Sequence, residues 1–436
     1  MRRRLERVLI TGMGVVSPIG CDADAFGHAI REGRSGVGPI RAFDPTGLET
    51  RIAAEVADSF DPKPHIRPLK MMKLMNRATL FAVAAAAEAR ARAGLGSDDV
   101  ASERIGVALG AGGMGPVDPD LANLQAEALL AAARESGEDQ FRAGAFAEVL
   151  RTKLNPLSLL RGLPNLAAAH VAIQHGAQGP NTTVSTACTA GTQAIGDGLR
   201  MIQRGEADVV LAGGSDAMVN PLGVLGFGML GTLSRRNEDP SRASRPFDRD
   251  RDGFVIGEGA AVVVLEREEH ARSRSAPVLA ELAGYASTCD AWRLTDERPD
   301  AAGASAAIRR CLEDSDAAAD DVDYVNAHGT GTRMNDTTEA AAIRQVFGTR
   351  TDHLPVSSTK SMIGHLLAGA GAVELAASLL ALRGRFVPPT INCTHPDPDC
   401  PIDPVPLHAR EAAIDTVLSN SFGFGGQNAC LLIRRA

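Results

Sequence analysis

The clearest structural signal in the chain is the run Asn181-Thr182-Thr183-Val184-Ser185-Thr186-Ala187-Cys188-Thr189-Ala190-Gly191. Its β-branched beginning predicts a short strand, and the small residues that follow predict a tight turn opening into a helix. A strand that feeds a helix in this way is the building unit of α/β proteins. The run therefore predicts an α/β fold with Cys188 at the junction between a strand and a helix.

A thiol at such a junction is a candidate nucleophile. The unpaired N–H groups and the positive dipole end of the helix favour the thiolate, so we expect a lowered pKa for Cys188. The alternative is that Cys188 is only a small buried hydrophobic residue, which is the usual role of a single cysteine. Two histidine motifs far downstream favour the first interpretation.

Both of these histidines lie in runs that predict loops. His328 is the third residue of Asn326-Ala327-His328-Gly329-Thr330-Gly331-Thr332, and His365 ends Lys360-Ser361-Met362-Ile363-Gly364-His365. Together with Cys188 they outline a Cys/His/His catalytic centre. The other histidines, such as His270 and His353, are expected to be ordinary packing or surface residues.

A second stretch of the chain repeats the pattern around Cys188. Val356-Ser357-Ser358-Thr359-Lys360 shares its Val-Ser beginning with Val184-Ser185-Thr186-Ala187-Cys188, and each run is expected to end a strand and precede a helix. If two halves are related by pseudo-symmetry, Cys188 and Lys360 point to a shared centre. A chain of 436 residues agrees with two domains or two similar halves, since it exceeds the usual size of one domain.

Strand-like runs alternate with helical ones along the whole chain. Apolar or β-branched runs predict strands at 8–10, 105–109, 182–184, 209–212, 261–265, 278–282, 322–326, 355–357, 417–420 and 429–433. Segments rich in alanine and leucine predict helices at 80–93, 193–203, 304–314 and 370–383. This alternation predicts α/β architecture throughout.

Composition excludes several classes of protein. With 44% hydrophobic and 22% charged residues the chain is typical of a soluble globular protein, and its net charge of −8 argues against nucleic acid as a partner. The seven cysteines form no CxxC pair, which favours a reducing cytoplasm. No signal peptide or membrane span is indicated, because the uncharged stretch 217–234 is broken by proline and glycines and predicts a buried loop and helix.

Several motifs follow one another in an order that resembles the β-ketoacyl-acyl carrier protein synthases of the elongating, synthase II type. Besides the runs around Cys188, His328 and His365, the motifs are Gly12-Met13-Gly14-Val15-Val16-Ser17-Pro18, Arg245-Pro246-Phe247-Asp248 with Asp252-Gly253-Phe254, and Asn420-Ser421-Phe422-Gly423-Phe424-Gly425-Gly426. The resemblance covers nearly the whole chain. It implies an acyltransferase of fatty acid or polyketide synthesis that performs decarboxylative Claisen condensation with malonyl-acyl carrier protein.

The resemblance also implies the fold and the partners. The thiolase fold has two pseudo-symmetric βαβαβαββ halves, here 1–275 with the nucleophile and 276–436 with the histidines, in five layers with a helix pair between mixed sheets. The expected assembly is a homodimer, or a heterodimer with a related synthase-like subunit. Substrates would arrive on the phosphopantetheine arm of acyl carrier protein. No further cofactor, metal, nucleic acid or membrane is expected, and the location would be cytoplasmic.

The family's catalytic roles transfer to the matching positions. Cys188 would carry the acyl group, and its own N–H and that of Phe424 would hold the oxyanion of the tetrahedral intermediate. His328 and His365 would donate N–H groups to the negative charge that malonyl decarboxylation generates. Lys360 would support the histidines electrostatically rather than act as a nucleophile.

The resemblance implies supporting positions as well. Glu339 would be the acid through which the lysine acts, and Asp336, three residues earlier, would share its helical face. A pair of surface acids is the alternative for that spacing. Thr330 and Thr332 would hydrogen-bond the phosphopantetheine arm.

Two aromatic residues complete the implied substrate site. Phe422 would line it beside the two threonines. Phe424 resembles the family's gatekeeper, a ring that swings when the acyl chain enters.

A basic segment follows in the first half of the chain, where no acidic residue occurs between Asp61 and Glu88. Its cationic residues are expected to dock the acidic carrier protein, and they are Lys63, Arg67, Lys70, Lys73 and Arg77. On a helix, the last three of them would share one face. A solvated helix face without a partner is the alternative.

One segment departs from the family pattern. Residues 116–163 are longer than expected between the turn Ala111-Gly112-Gly113 and the helix that starts near Asn165. We therefore expect this segment to shape the acyl pocket or a partner interface.

Two other functions stay open. A non-condensing partner subunit, like the chain-length factors, would usually lack the cysteine, whereas this chain keeps Cys188, His328 and His365 together. A biosynthetic thiolase would pair one histidine with a second cysteine instead of using two histidines.

Overall fold

The computed structural model describes residues 6–112, 119–134 and 141–436. The strands of these ranges are Val8–Val16 (β1), Val37–Pro39 (β2), Ile52–Ala54 (β3), Ile105–Ala111 (β4), Asn181–Val184 (β5), Val209–Ala217 (β6), Glu258–Arg267 (β7), Ala280–Cys289 (β8), Tyr324–Asn326 (β9), Val356–Ser357 (β10), Phe386–Val387 (β11), Arg410–Glu411 (β12), Thr416–Gly423 (β13) and Gln427–Arg434 (β14). The α-helices are Ala23–Glu32 (α1), Arg77–Arg92 (α2), Pro119–Arg134 (α3), Ala143–Lys153 (α4), Pro156–Arg161 (α5), Leu166–His175 (α6), Ala190–Gln203 (α7), Pro221–Met229 (α8), Glu268–Ser273 (α9), Ala302–Asp314 (α10), Arg333–Phe347 (α11), Lys360–Ile363 (α12) and Ala370–Gly384 (α13).

Ten of these strands form one sheet in the order β10-β9-β13-β14-β8-β1-β7-β6-β4-β5. Read outward from its centre, β1-β7-β6-β4-β5 and β8-β14-β13-β9-β10 are the same arrangement twice. Each is antiparallel among its first three strands and parallel among its last three. The halves join where Leu9 and Ile10 of β1 pair with β8. This repeat confirms the predicted thiolase fold, while the boundary at residue 275 stays a prediction.

The helices complete the five layers. α7 and α13 pack on each other between the two halves of the sheet, α2 covers the outer face of the first half, and α10 covers that of the second. Buried apolar clusters fill each space between layers. One stretch, Leu367–Gly384, is apolar and long enough to cross a membrane, but 83% of it is buried in the protein, as expected of a core helix.

Two glycines of the motif that begins Gly12-Met13-Gly14 explain how closely α2 approaches β1. A Cβ atom at Gly12 would lie 2.2 Å from the carbonyl oxygen of Ala89, and one at Gly14 would lie 2.1 Å from that of Ala85. No side chain fits at such distances. The motif therefore fixes the packing of the helix against the central strands.

The structure corrects the expectation for the stretch 217–234 and adds detail for the segment 116–163. The stretch 217–234 contains the predicted helix, α8, but Leu222, Leu225 and Met229 are exposed on its surface rather than buried. The segment 116–163 contains α3, α4 and α5 where it is described. Its parts 116–118 and 135–140 lie outside the described residues.

Candidate active site

Cys188 lies where the sequence predicted it, after the end of β5 and before the start of α7. It is the middle residue of a 3₁₀ turn, Ala187–Thr189. Ala187 has a φ of 51°, in the left-handed region that is costly for a residue with a Cβ atom. Such local strain is typical of residues that present a reactive group.

The environment of the thiol differs from the expectation. Burial raises the pKa of Cys188 to about 12, and the Asp216 carboxylate also raises it, against the opposing effects of Lys360 and the Phe424 N–H. The predicted lowering by the helix N-terminus is therefore wrong for the resting protein. Removal of the thiol from water outweighs the helix, so Cys188 is protonated at neutral pH.

His365 faces the sulfur of Cys188. Its Nε2 atom lies 3.1 Å from Sγ, and its Nδ1 atom accepts a hydrogen bond of 3.2 Å from the N–H of Leu367. Burial and the nearby Lys360 lower the pKa of His365 well below its ordinary value, so the ring is neutral. Because Nδ1 accepts, we assign the single ring proton to Nε2, on the side of the sulfur.

His328 has the same arrangement with a different donor. Lys360 Nζ donates to its Nδ1 atom at 3.2 Å and to its carbonyl oxygen at 2.6 Å. Burial, Lys360 and His365 all lower the pKa of His328 well below its ordinary value. The two rings meet edge to face with centroids 5.2 Å apart. Both imidazoles are thus neutral and carry their proton on Nε2, as N–H donors.

The lysine has a different acid from the one predicted. Lys360 Nζ forms a buried ion pair with Glu374 of α13. The prediction that Lys360 acts through Glu339 is therefore wrong. The sequence did contain a sign of Glu374, because it is the one charged residue in the run 370–382, whose other residues are small or apolar.

Glu339 holds the backbone of the histidine loop instead. Its carboxylate accepts hydrogen bonds from the N–H groups of His328 (2.8 Å) and Gly329 (2.7 Å) and from Asn420 Nδ2 (3.2 Å). Burial raises the pKa of Glu339 to about 7. Its position fixes where the His328 ring stands.

Asp336 has a comparable positioning role. It accepts from the N–H groups of Phe247 (2.8 Å) and Gly331 (3.1 Å), and Arg251 lies 3.4 Å away. These contacts tie the motif around Phe247 to the loop that follows His328. Both Asp336 and Glu339 are fully buried, which rules out the alternative of a surface acid pair.

Cys188 borders two cavities. The first, of about 200 Å³, is lined by both histidines, Phe422 and the hydroxyl residues Thr330 and Thr332. The Oγ1 atoms of these threonines lie 2.9 Å apart. The structure therefore brings together all the predicted substrate residues on the same side of the thiol.

The second cavity is larger and apolar, with a volume of about 630 Å³. Its wall includes Cys188, Met218, Phe227, Leu230 and Leu367. Phe424 lines both cavities. The ring thus stands at the boundary between a polar space and an apolar one, which is where a gatekeeper has to be.

Asp216 is a residue of this site that the sequence analysis missed. It lies at the end of β6, where it accepts from the N–H groups of Ala217 (2.8 Å) and Ala368 (3.2 Å). Burial raises the pKa of Asp216 to about 6. The contact with Ala368 ties β6 to the turn Leu367–Gly369 that follows His365.

Lys70, Lys73 and Arg77 do not share the face that they would have on one helix. Lys63–His65 and Leu69–Leu74 form two short 3₁₀ helices, and α2 begins only at Arg77. Met75 is extended and the Asn76 side chain caps α2 by accepting from the N–H of Thr79, so a new helix starts after the two lysines. Lys70 and Lys73 still share a side, since residues three apart eclipse one another in a 3₁₀ helix.

Arg77 has a structural partner. Its guanidinium donates to the buried carboxylate of Glu258 with Nε at 2.7 Å, and it stacks over the ring of Phe81. The remaining cations of the segment, Lys63, Arg67, Lys70 and Lys73, are exposed. The exposed surface formed by these four residues is called the basic patch below.

A metal site is the other chemistry that the three central side chains would suit. Sγ of Cys188 and the ring nitrogens of His328 and His365 lie within 4.8 Å of one another. A zinc site uses a cysteine as thiolate. A histidine that binds a metal through Nε2 carries its proton on Nδ1, whereas here Nδ1 of both rings accepts a hydrogen bond from an N–H group. The arrangement therefore fits a nucleophile with two N–H donors better.

Comparison with known proteins agrees with this geometry. The sequence matches the beta-ketoacyl synthase N-terminal domain over residues 5–271 and the beta-ketoacyl synthase C-terminal domain over residues 279–394. A 3-oxoacyl-[acyl-carrier-protein] synthase 2 of Coxiella burnetii is 42% identical over 432 residues, which is 99% of both chains.

Two solved structures share the fold over nearly their whole length. One is described as the ishigamide ketosynthase/chain length factor, with a TM-score of 0.87 and 37% identity over 99% of this chain and 100% of that one. The other contains a type II PKS acyl-carrier protein in complex with its ketosynthase bound to the hexaketide. Its TM-score is 0.85 at 34% identity, with 99% and 100% covered.

The expectation that residues 116–163 shape the acyl pocket or a partner interface stays a prediction. With both domains matched and full-length relatives at this identity, the chain belongs to the beta-ketoacyl synthase family.

Proposed function

We propose that Cys188 accepts an acyl group from acyl carrier protein, and that His328 and His365 promote its condensation with malonyl-acyl carrier protein. The protein is an acyl-transferring condensing enzyme, and the reaction is a decarboxylative Claisen condensation of type II fatty acid or polyketide synthesis. The observation that carries the assignment of residues is the convergence of one thiol and two neutral N–H donors on one cavity.

In the first step the sulfur of Cys188 attacks the acyl thioester. The new bond joins Sγ to the acyl carbon, the bond from that carbon to the pantetheine sulfur breaks, and the thiol proton moves to the departing sulfur. The oxyanion of the intermediate is held by the N–H groups of Cys188 and Phe424. Support comes from the Phe424 N–H, which is already directed at the sulfur in the resting protein.

In the second step malonyl thioester enters the cavity that holds the histidines. Loss of carbon dioxide leaves an enolate, whose thioester oxygen receives the Nε2–H groups of His328 and His365. The enolate carbon then attacks the acyl carbon on Cys188, and the released thiolate takes up a proton. Neutral imidazoles suit this role, because they stabilise the oxygen through N–H donation in a site that excludes water.

Three further residues act on the substrates in this proposal. Thr330 and Thr332 bind the phosphopantetheine arm in the polar cavity, next to Phe422. Phe424 separates that arm from an acyl chain in the apolar cavity. The side chains supply all the chemistry, so no cofactor is needed beyond the arm itself.

The partners follow from the relatives and from the surface. We place acyl carrier protein on the basic patch, where exposed cations complement an acidic protein although the enzyme's net charge is −8. We place a synthase-like subunit or a second copy beside the chain, in line with the structure described as ketosynthase/chain length factor. The location proposed is the cytoplasm.

Variants of the two histidines test the division of labour. H328A and H365A should still form acyl-Cys188, whereas release of carbon dioxide from malonyl-acyl carrier protein should fall by about 10²-fold or more, the size of one lost donor. H353A is a matched control, because His353 is exposed and lines neither cavity. Carbon dioxide release at the unmodified rate in both active-site variants would contradict the proposal.

A non-condensing subunit is the second candidate function that the sequence left open. Such a subunit has no need for a thiol that opens onto both cavities. The complete set of Cys188, His328 and His365, with Lys360 oriented behind them, favours the condensing enzyme.

A further inference from the structure

Helix α8 forms one wall of the apolar cavity and contains three glycines, Gly223, Gly226 and Gly228. Glycine lowers the stability of a helix interior relative to alanine, because it loses more backbone freedom on folding. Three glycines in so short a helix therefore need an explanation at each position. We compare the space that a Cβ atom would have at each of them.

Gly223 is required by packing. A Cβ atom there would lie 2.3 Å from the carbonyl oxygen of Met218, so no side chain fits. Gly226 and Gly228 are different, because a Cβ atom at either position would meet nothing within 4 Å. Neither backbone lies in the left-handed region that favours glycine.

Only one of these two open positions borders the cavity. Gly226 is part of its wall, together with its neighbour Phe227 and Leu230 one turn further on. Gly228 is not part of it. A side chain placed at 226 would thus occupy space beside the cavity without a clash inside the protein.

We propose that the missing side chain at Gly226 sets how long an acyl chain the cavity accepts. The inference rests on the proposed function, in which the acyl chain on Cys188 extends into this cavity. A space of about 630 Å³ with a largely apolar wall is in the size range of pockets that enclose a whole small ligand. The substrate class that fits is an extended apolar acyl chain whose far end passes α8.

The expected effect follows from the gain on burying each methylene. Burial of one CH₂ group favours binding by about fourfold. A side chain that keeps the end of the acyl chain out of the cavity should remove this gain for every methylene excluded. Short acyl groups, which end before α8, should keep their rates.

The test compares G226A, G226L and G228L with the unmodified enzyme. Each is incubated with a series of saturated acyl-pantetheine thioesters of increasing length, and the rate of acylation of Cys188 is followed by mass spectrometry. G226L should lose about fourfold in rate per excluded methylene for the long members, with G226A between it and the unmodified enzyme. G228L, on the same helix but away from the cavity, should keep the original length profile.

Three results would overturn the inference. The first is a G226L profile that equals that of the unmodified enzyme, and the second is an equal shift in G228L. The mass of each variant in solution is measured in parallel, because Leu222, Leu225 and Met229 leave α8 with an exposed apolar face. A shifted profile that occurs only with a changed mass assigns the effect to that face and also overturns the inference.

Failure of the proposed function gives a different result. In that case the unmodified enzyme would acylate Cys188 with no member of the series. If the unmodified enzyme is acylated and only the profile of G226L is unchanged, the function stands and the role of Gly226 is refuted.

Discussion

Removal of Glu374 alone should destabilise the protein more than removal of Glu374 and Lys360 together. Both side chains are almost completely buried, with 0% and 1% exposure, and they form an ion pair. In E374L the ammonium of Lys360 loses its counter-charge inside the protein. Breaking a buried pair in this way costs about 3–5 kcal/mol in the free energy of unfolding.

The expected loss lies toward the lower end of that range. Lys360 Nζ keeps its hydrogen bonds to Nδ1 and to the carbonyl oxygen of His328, so it is not left without partners. Within the described residues, only Lys360 loses a hydrogen bond to the Glu374 carboxylate, because the second carboxylate oxygen has no partner there. In K360M/E374L both charges are replaced by apolar side chains of similar volume. Such replacements are neutral or stabilising in many proteins. Here they also leave Nδ1 and the carbonyl oxygen of His328 without their donor, so only part of the lost stability should return.

Activity should not return with stability. Without Lys360 no donor holds Nδ1 of His328, and the ring proton is no longer confined to Nε2. Carbon dioxide release from malonyl-acyl carrier protein should then fall by about 10²-fold in the double variant, as for the loss of one oriented donor. Urea unfolding followed by circular dichroism measures the stability, and trapped carbon dioxide measures the rate. Equal stability of E374L and the double variant, or full activity of the double variant, would refute the reasoning.

Three other predictions concern the thiol and the basic patch. C188A should form no acyl-enzyme and no condensation product while keeping its circular dichroism spectrum, and product formation at the original rate would exclude Cys188 as the acyl carrier. Because burial raises the pKa of Cys188 to about 12, the thiolate fraction at neutral pH is below that of a free cysteine. The rate at which iodoacetamide alkylates Cys188 should thus rise about tenfold per pH unit from pH 7 to pH 10. Mass spectrometry measures this rate, and the exposed Cys289 serves as a check on the reagent. A plateau near pH 8 to 9 would mean that the thiolate is already stabilised. K70E/K73E should raise KM for carrier-bound substrate and weaken its salt dependence, but barely change turnover of a small thioester, whereas K153E, an exposed lysine of α4, should change neither. Equal losses for both substrates in K70E/K73E would assign Lys70 and Lys73 to the fold or the pocket.

The fold was predictable because its determinants are local. Strand runs ending in small residues, and the shared pattern of 184–188 and 356–360, are properties of neighbouring residues. The structure places these runs at matching ends of β5 and β10, in a repeated strand order. Gly12 and Gly14 are a further example, because glycines that allow a helix to pack closely on a strand can be recognised in the sequence.

The electrostatics of the site were not predictable, because they depend on tertiary packing. The family resemblance suggested Glu339 as the acid behind Lys360, but the relative placement of α12 and α13 selects Glu374. The helix terminus beside Cys188 suggested an acidic thiol, but the burial that raises its pKa is visible only in the folded protein.

The basic segment shows an error of another kind. Asparagine is a preferred residue at the start of a helix, and Asn76 caps α2 directly before Arg77. The sequence thus already indicated a helix start between Lys73 and Arg77, which argues against one shared face for Lys70, Lys73 and Arg77.

The repeated strand order bears on how such a chain can change over generations. The end of β5 delivers Cys188 and the matching end of β10 delivers Lys360, so each half holds a component that the other lacks. Neither half could therefore be deleted, or replaced by a copy of the other, without loss of a residue that the proposed reaction needs. The two halves repeat one another in backbone, but in chemistry they are complementary and act only as a pair.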